Sequence, residues 1–141
     1  HPERLGAATA KSYDQGSVTW LGSQSCQQLR DLYAKAAVYA GTSRYEPFGL
    51  APVEAALSGC ALLLNDIPSF HELWGDAACY FDRNNSESLA AKIRMLIDNP
   101  EERQQFAARA MERASTAFST DRMLDSYERA YSSLVKQEAY A

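Results

Sequence analysis

Ala61-Leu-Leu-Leu64 is an unbroken apolar run lying just after Gly59. A half-exposed strand alternates apolar and polar residues. A short run without alternation reads instead as a strand covered on both faces. A chain that contains such a strand must supply neighbours for its ladder and a layer of helices for each face.

The rest of the sequence supplies both. Residues 37–41 (Ala-Val-Tyr-Ala-Gly) and 78–81 (Ala-Cys-Tyr-Phe) are short β-prone segments, and residues 17–21 (Ser-Val-Thr-Trp-Leu) alternate and close on Gly22. Helical patterns separate them. Residues 2–13 are predicted helical. Ser25-x-x-Gln28 is a capping box ahead of Leu29, Leu32, Tyr33 and Ala36 at helical spacing. A further helix starts near Gly49 and stops at Gly59. Ser69-x-x-Glu72 is predicted to cap a short helix that runs to about Trp74. The last third is helical: residues 86–98 with Leu89, Ile93, Leu96 and Ile97 on one face, then a restart at Asn99-Pro100-Glu101-Glu102. A final helix from Ser119 or Thr120 is expected to bury Leu124, Tyr127, Tyr131 and Leu134. Strands alternating with helices predict an α/β fold: a Rossmann-like parallel sheet with helices on both faces and a helical carboxy-terminal third. At 141 residues this is a single domain.

Composition excludes several functions. Net charge is −4 and the basic residues are scattered, so there is no nucleic-acid surface and no polybasic membrane tether. No apolar run approaches the ~18 residues of a transmembrane segment. The three cysteines, Cys26, Cys60 and Cys79, lack metal-ligand spacing, and with two histidines no zinc or other metal site is expected. They read as small buried residues of a reduced compartment, so the expected location is cytoplasmic. The sequence opens on His1, which suggests processing or excision from something longer.

Ligands of parallel sheets sit at the carboxyl ends of strands, where the strand at 37–41 runs into Glu46-Pro-Phe-Gly-Leu-Ala-Pro-Val-Glu54. Ser43-x-x-Glu46 fits a capping box formally, but Pro47 pushes Glu46 out of the helical region. A helix starting near Gly49, with Pro52 tolerated in its first turn, leaves N–H groups at Gly49 and Leu50 unpaired at the positive end of the helix dipole. Such a terminus accepts phosphate, and Gly49 permits close approach. Glu54, about one turn further on, suits a diol. A solvated helix glutamate is an equally good reading of spacing alone.

Ser43-x-x-Glu46-Pro-Phe-Gly-Leu-x-x-Val-Glu54-Ala-x-x-x-Gly59 resembles the signature of retaining nucleotide-sugar glycosyltransferases of the GT-B fold, the glycosyl transferases group 1 that include the glycogen-synthase-like and sucrose-synthase-like enzymes. Val18-x-x-Leu21-Gly22, Leu29-x-x-Leu32-Tyr33, Gly75-Asp76-Ala77-Ala78, Asp98-Asn-Pro100 and the Tyr-rich last helix resemble the carboxy-terminal half of that fold, in order, over nearly the whole chain. The resemblance implies transfer of a sugar from a nucleoside diphosphate sugar to a hydroxyl acceptor with retention. Glu46 is the implied catalytic residue at the donor sugar's hydroxyls, and Glu54 binds the ribose diol. The backbone at Phe48, Gly49 and Leu50 holds the sugar and diphosphate. The donor is a substrate, so no cofactor is implied. No Asp-x-Asp motif occurs, which suits metal-independent chemistry.

The chain departs from that family at its amino end. The resemblance implies two further strand–helix units, the first carrying an Arg and a Lys for the leaving diphosphate, and an amino-terminal domain that binds the acceptor. No residue here matches the Arg/Lys pair. The expectation is therefore an incomplete donor-binding domain of a longer enzyme, inactive alone, with exposed strand edges through which it could self-associate. The parent enzyme is expected in the cytoplasm or at the inner face of a membrane. Two rivals are a nucleotide-sugar epimerase on the same architecture and a non-catalytic nucleotide-binding or interaction module. His71 reads as a half-exposed histidine, and Trp20 and Trp74 as core or core-edge residues.

Overall fold

The structure, a computed structural model, describes residues 18–138. The helix expected over residues 2–13 lies outside the described residues. In chain order the elements are α1 (Cys26–Lys35), β1 (Val38–Gly41), α2 (Leu50–Leu57), β2 (Ala61–Asn65), α3 (Pro68–Trp74) with a 3₁₀ turn (Gly75–Ala77), β3 (Cys79–Phe81), α4 (Ser86–Asp98), α5 (Pro100–Ala117) and α6 (Thr120–Glu138). The three strands form one parallel sheet in the order β1-β2-β3, with Val38 opposite Ala61 and Leu63 opposite Cys79.

β2 is the central strand, and every residue in it is buried. Period-2 geometry sends Leu62 and Leu64 to one face and Leu63 to the other. Leu62 and Leu64 join Ala55, Ala56, Phe70, Trp74, Ala110 and Ala114 under α2, α3 and α5. Leu63 packs with Cys79, Phe81 and Leu96 under α4. Each leucine is 0% exposed, a burial worth about 1.5–3 kcal/mol per side chain. α5 serves both cores, with Phe106 against one and the small Ala110 and Ala114 in the other. The expected sheet with helices on both faces is therefore present. α1 starts on the Ser25–Gln28 capping box and is tied to β2 by the Cys60 thiol, which donates to the carbonyls of Tyr33 (3.3 Å) and Ala36 (3.4 Å). Burial pushes the Cys60 and Cys79 thiols upward, so both remain protonated at neutral pH.

Several local expectations are corrected. Residues 18–21 form no strand, and Trp20 is 65% exposed rather than core. Strand propensity needs a ladder partner, and β1 pairs only with β2 among the described residues. Ser69 does not cap α3. Pro68 occupies the first turn, Ile67 is the N-cap, and Ser69 lies inside the helix. Asn99 does not cap α5 with its side chain. Its amide donates back to the carbonyl of Met95 (2.9 Å), closing α4 instead. Of the α4 stripe only Leu96 is fully buried, and Ile97 is 60% exposed because the sheet beneath α4 is narrow. Cys26 is exposed. The apolar side of α6 is exposed along its length, Leu124, Tyr127, Tyr131 and Leu134 included, because no described element lies over it. No helix among the described residues is long and apolar enough to cross a membrane.

Candidate functional site

β1 ends at Gly41, where a Cβ would meet Leu64 Cδ2 at 2.8 Å and the Tyr39 ring at 3.3 Å. A side chain at this position would force the buried Leu64 to shift. The chain then loops through residues 42–49 and enters α2. Its N-cap is Gly49, at φ 79° and ψ 87°, and no side chain caps the helix. Pro52, in the first turn, contributes no N–H. The first turn of α2 therefore has backbone donors without a side-chain partner, as the sequence suggested.

Gly49 is required twice over. Its positive φ disfavours any side chain, and a Cβ there would lie 3.0 Å from Glu46 Cγ and 3.2 Å from Pro52 Cδ. Glu46 is thus folded back over the start of α2, half-buried, while Glu54 sits exposed on the same helix. Leu50, the first residue of α2, exposes its side chain, so what it offers at the helix start is backbone. Phe48 meets Phe118 edge-on at 5.3 Å, and Phe118 meets the buried Trp74 at 5.4 Å. An aromatic chain therefore runs from the core to the loop tip and fixes its height over the sheet.

Two tyrosines that sequence reasoning missed lie beside the carboxylates. Tyr33 of α1 and Tyr39 of β1 pack edge to face at 6.0 Å. Burial pushes the Tyr39 hydroxyl up to about 12, with Tyr33 and the charge of Glu46 adding to the effect. Burial raises Tyr33 as well, reinforced by Glu54 and Cys60. The two glutamates thus act on one tyrosine pair, which stays a pair of neutral hydroxyls at neutral pH. Helix and strand periodicity marks them as packing residues, and although Tyr33 ends the Leu29-x-x-Leu32-Tyr33 segment, no local pattern pairs it with Tyr39.

Asn65, the last residue of β2, was also missed. It is 2% exposed, and its Nδ2 donates to the carbonyl of Ser43 at 3.1 Å, tying the central strand to the root of the loop. A polar residue closing an otherwise apolar buried strand is the signal that could have found it. Arg44 points elsewhere, lining a cavity with Thr42 and Asn65. His71 is half-exposed as expected, but it is not alone: its Nε2 lies 2.5 Å from Asp66 Oδ1, and its ring stacks on Tyr80 at 3.9 Å.

Comparison with known proteins bears on this arrangement. The chain is 33% identical over 84 residues to the O-antigen chain mannosyltransferase RfbU of Salmonella typhimurium, covering 60% of this chain and 24% of that protein. It is 34% identical over 94 residues to the GDP-mannose:cellobiosyl-diphosphopolyprenol alpha-mannosyltransferase of Xanthomonas oryzae, covering 65% of this chain and 25% of that protein. The chain thus spans about a quarter of the length of these relatives. In three dimensions it is similar to sucrose-phosphate synthase from Thermosynechococcus elongatus, with a TM-score of 0.76 at 21% identity over 87% of this chain and 31% of that one. At that identity the likeness speaks for the fold, a portion of a GT-B architecture. Residues 7–113 match the family Glycosyl transferases group 1, a stretch that includes the whole sheet and the loop from Glu46 to Glu54, and the chain belongs to that family.

Proposed function

We propose that this chain is the donor-binding part of a retaining glycosyltransferase, which moves a sugar from a nucleoside diphosphate sugar to a hydroxyl acceptor. One observation carries the reading: Gly49 opens an uncapped helix at the carboxyl end of a parallel strand, with Glu46 folded over it. Backbone donors at a helix start stabilise the charge that grows on a departing diphosphate, and they need no reorganisation to do so. Glu46 accepts hydrogen bonds from hydroxyls of the donor sugar beside that terminus. Glu54, exposed further along α2, accepts from the two hydroxyls of the ribose. Phe48, Gly49 and Leu50 contribute backbone, and Phe118 and Trp74 hold that backbone in place.

The names of the relatives make a guanosine diphosphate mannose the first donor to test. A thermal-shift panel of UDP-, GDP- and ADP-sugars on this chain is expected to show stabilisation by one nucleotide class, with ligand-dependent growth of the shift. The shift is expected to vanish in Glu54→Ala. In the longer enzyme, Glu46→Gln is expected to abolish most turnover with the fold intact. Stabilisation that survives Glu54→Ala, or near-normal turnover by Glu46→Gln, would remove that residue from the site.

A further inference from the structure

We infer that Tyr39 is a further ligand-binding residue of the loop site, its hydroxyl paired with the Glu46 carboxylate to hold one hydroxyl of the donor sugar between them. The inference rests on the proposed function for the identity of the ligand. The strand places the ring. Tyr39 and Gly41 lie two residues apart on one face of β1. A Cβ at Gly41 would stand 3.3 Å from Tyr39 Cε1, so the tyrosine ring leans along the strand towards its carboxyl end, beside the space that glycine leaves open. Tyr33 of α1 packs against it edge-on at 6.0 Å. The loop brings the partner. Beyond the end of β1 the half-buried Glu46 turns back over the start of α2. Burial, then Tyr33, then the charge of Glu46 push the Tyr39 hydroxyl up to about 12. At neutral pH the tyrosine is therefore a hydrogen-bond donor standing near a carboxylate acceptor.

That hydroxyl is not used within the protein. Tyr80, also half-buried, donates to the carbonyl of Phe70 at 3.2 Å, whereas among the described residues Tyr39 donates to no protein group, Glu46 included. Packing alone does not call for it, since phenylalanine fills the same space without an O–H to satisfy. A phenol and a carboxylate that face one ligand atom sort ligands by their protons. A sugar hydroxyl accepts from Tyr39 and donates to Glu46 at once. A phosphate oxygen accepts from Tyr39 but has no proton for Glu46, whose charge repels it. The pair therefore suits the neutral sugar of a nucleotide sugar and leaves the diphosphate to the backbone donors at the start of α2.

The test is a calorimetric titration of this chain with GDP, UDP and ADP, each bare and as a sugar conjugate (GDP-mannose, UDP-glucose, ADP-glucose), repeated for Tyr39→Phe, Glu46→Gln and the double variant. The unaltered chain is expected to bind one sugar nucleotide more tightly than its bare diphosphate. Tyr39→Phe keeps the ring and its packing, and it is expected to weaken that sugar nucleotide roughly five- to tenfold while the bare diphosphate binds as before. Because the two groups hold one hydroxyl, the double variant is expected to lose less than the product of the single losses. Equal weakening of sugar nucleotide and bare diphosphate in Tyr39→Phe, weakening of neither, or losses that multiply in the double variant would overturn the proposal and leave the donor reading standing. The pairing is also read without ligand, by carbon-13 NMR titration of the tyrosine Cζ resonances. Glu46→Gln is expected to lower the Tyr39 midpoint and to leave the exposed Tyr127 as it was. An unmoved Tyr39 would overturn the proposal whatever the nucleotides do. A chain that binds none of the six ligands would overturn the donor reading and, with it, this role for Tyr39.

Discussion

β2 and α6 are both marked in the sequence by their apolar residues, and the structure treats them in opposite ways. Leu62, Leu63 and Leu64 are 0% exposed, while Leu134 of α6 is 58% exposed and its apolar neighbours are similar. Period tells which side of an element is able to be buried. Whether it is buried depends on what lies across from it, which is a long-range fact. β2 has β1 and β3 at its edges and helices on both faces. α6 follows α5 in the chain, and its apolar side chains are left exposed among the described residues.

The largest effect that separates the two is a core truncation. Leu63→Ala removes the side chain that joins β2 to Cys79, Phe81 and Leu96 and is expected to cost about 2–5 kcal/mol. A urea titration reads this as a lower midpoint at an unchanged slope. A loss below about 1 kcal/mol would mean that the α4 face of the sheet is loosely packed and that β2 is not the anchor inferred here.

The same contrast explains how much was legible in advance. The unbroken run at Ala61-Leu-Leu-Leu64 identified a two-sided strand, and the Ser25 capping box and the start of α2 near Gly49 were read from local chemistry that the structure retains. Residues 18–21 and the face of α6 were misread because both needed a partner that local pattern does not specify. Ser69 was misread because Pro68 outranks a serine cap as a helix start. In the site, the loop residues carry their signal within nine positions of sequence. Asn65, Tyr33 and Tyr39 were invisible because their roles arise from contacts across the fold: Asn65 reaches Ser43, and each tyrosine meets the other and one glutamate's charge.

The next effect lies in the loop. Gly49→Ala places a Cβ at φ 79° and within 3.0 Å of Glu46 Cγ, so it is expected to cost about 1–3 kcal/mol from backbone strain and to displace Glu46 as well. Measured by thermal denaturation and by nucleotide-sugar affinity, it should lower both. An intact affinity would show that the placement of Glu46 over the helix start is not needed for the donor. In the comparison, Gly49 then behaves like β2, fixed by what surrounds it and not by local preference alone.

A smaller effect is tied to pH. Burial pushes Tyr39 and Tyr80 up to about 12, above the 10.0 of the free side chain. A tyrosine raised in the folded state binds its proton more tightly there than in the unfolded chain. Its stabilising contribution is complete below pH 10 and is lost as pH rises from about 10 to about 12. The urea midpoint is expected to fall over that window, and to fall less in Tyr39→Phe and Tyr80→Phe. A profile left unchanged in both variants would show that the alkaline loss comes from elsewhere in the protein.

The smallest expected effect is on α6 itself. Leu134→Gln replaces an exposed apolar side chain with a polar one of good helix propensity, so stability is expected to stay within about 0.5 kcal/mol. Transferring a side chain from water to water gains nothing, and the helix loses no packing that the described residues provide. The measurement is the same urea titration used for Leu63→Ala, on the same chain. If Leu134→Gln proved as costly as Leu63→Ala, the α6 face would have to be covered in solution, and the distinction between a strand buried by its partners and a helix left without them would no longer hold. If it proved neutral while Leu63→Ala did not, apolar period would again stand as a statement about capacity, with burial decided by topology.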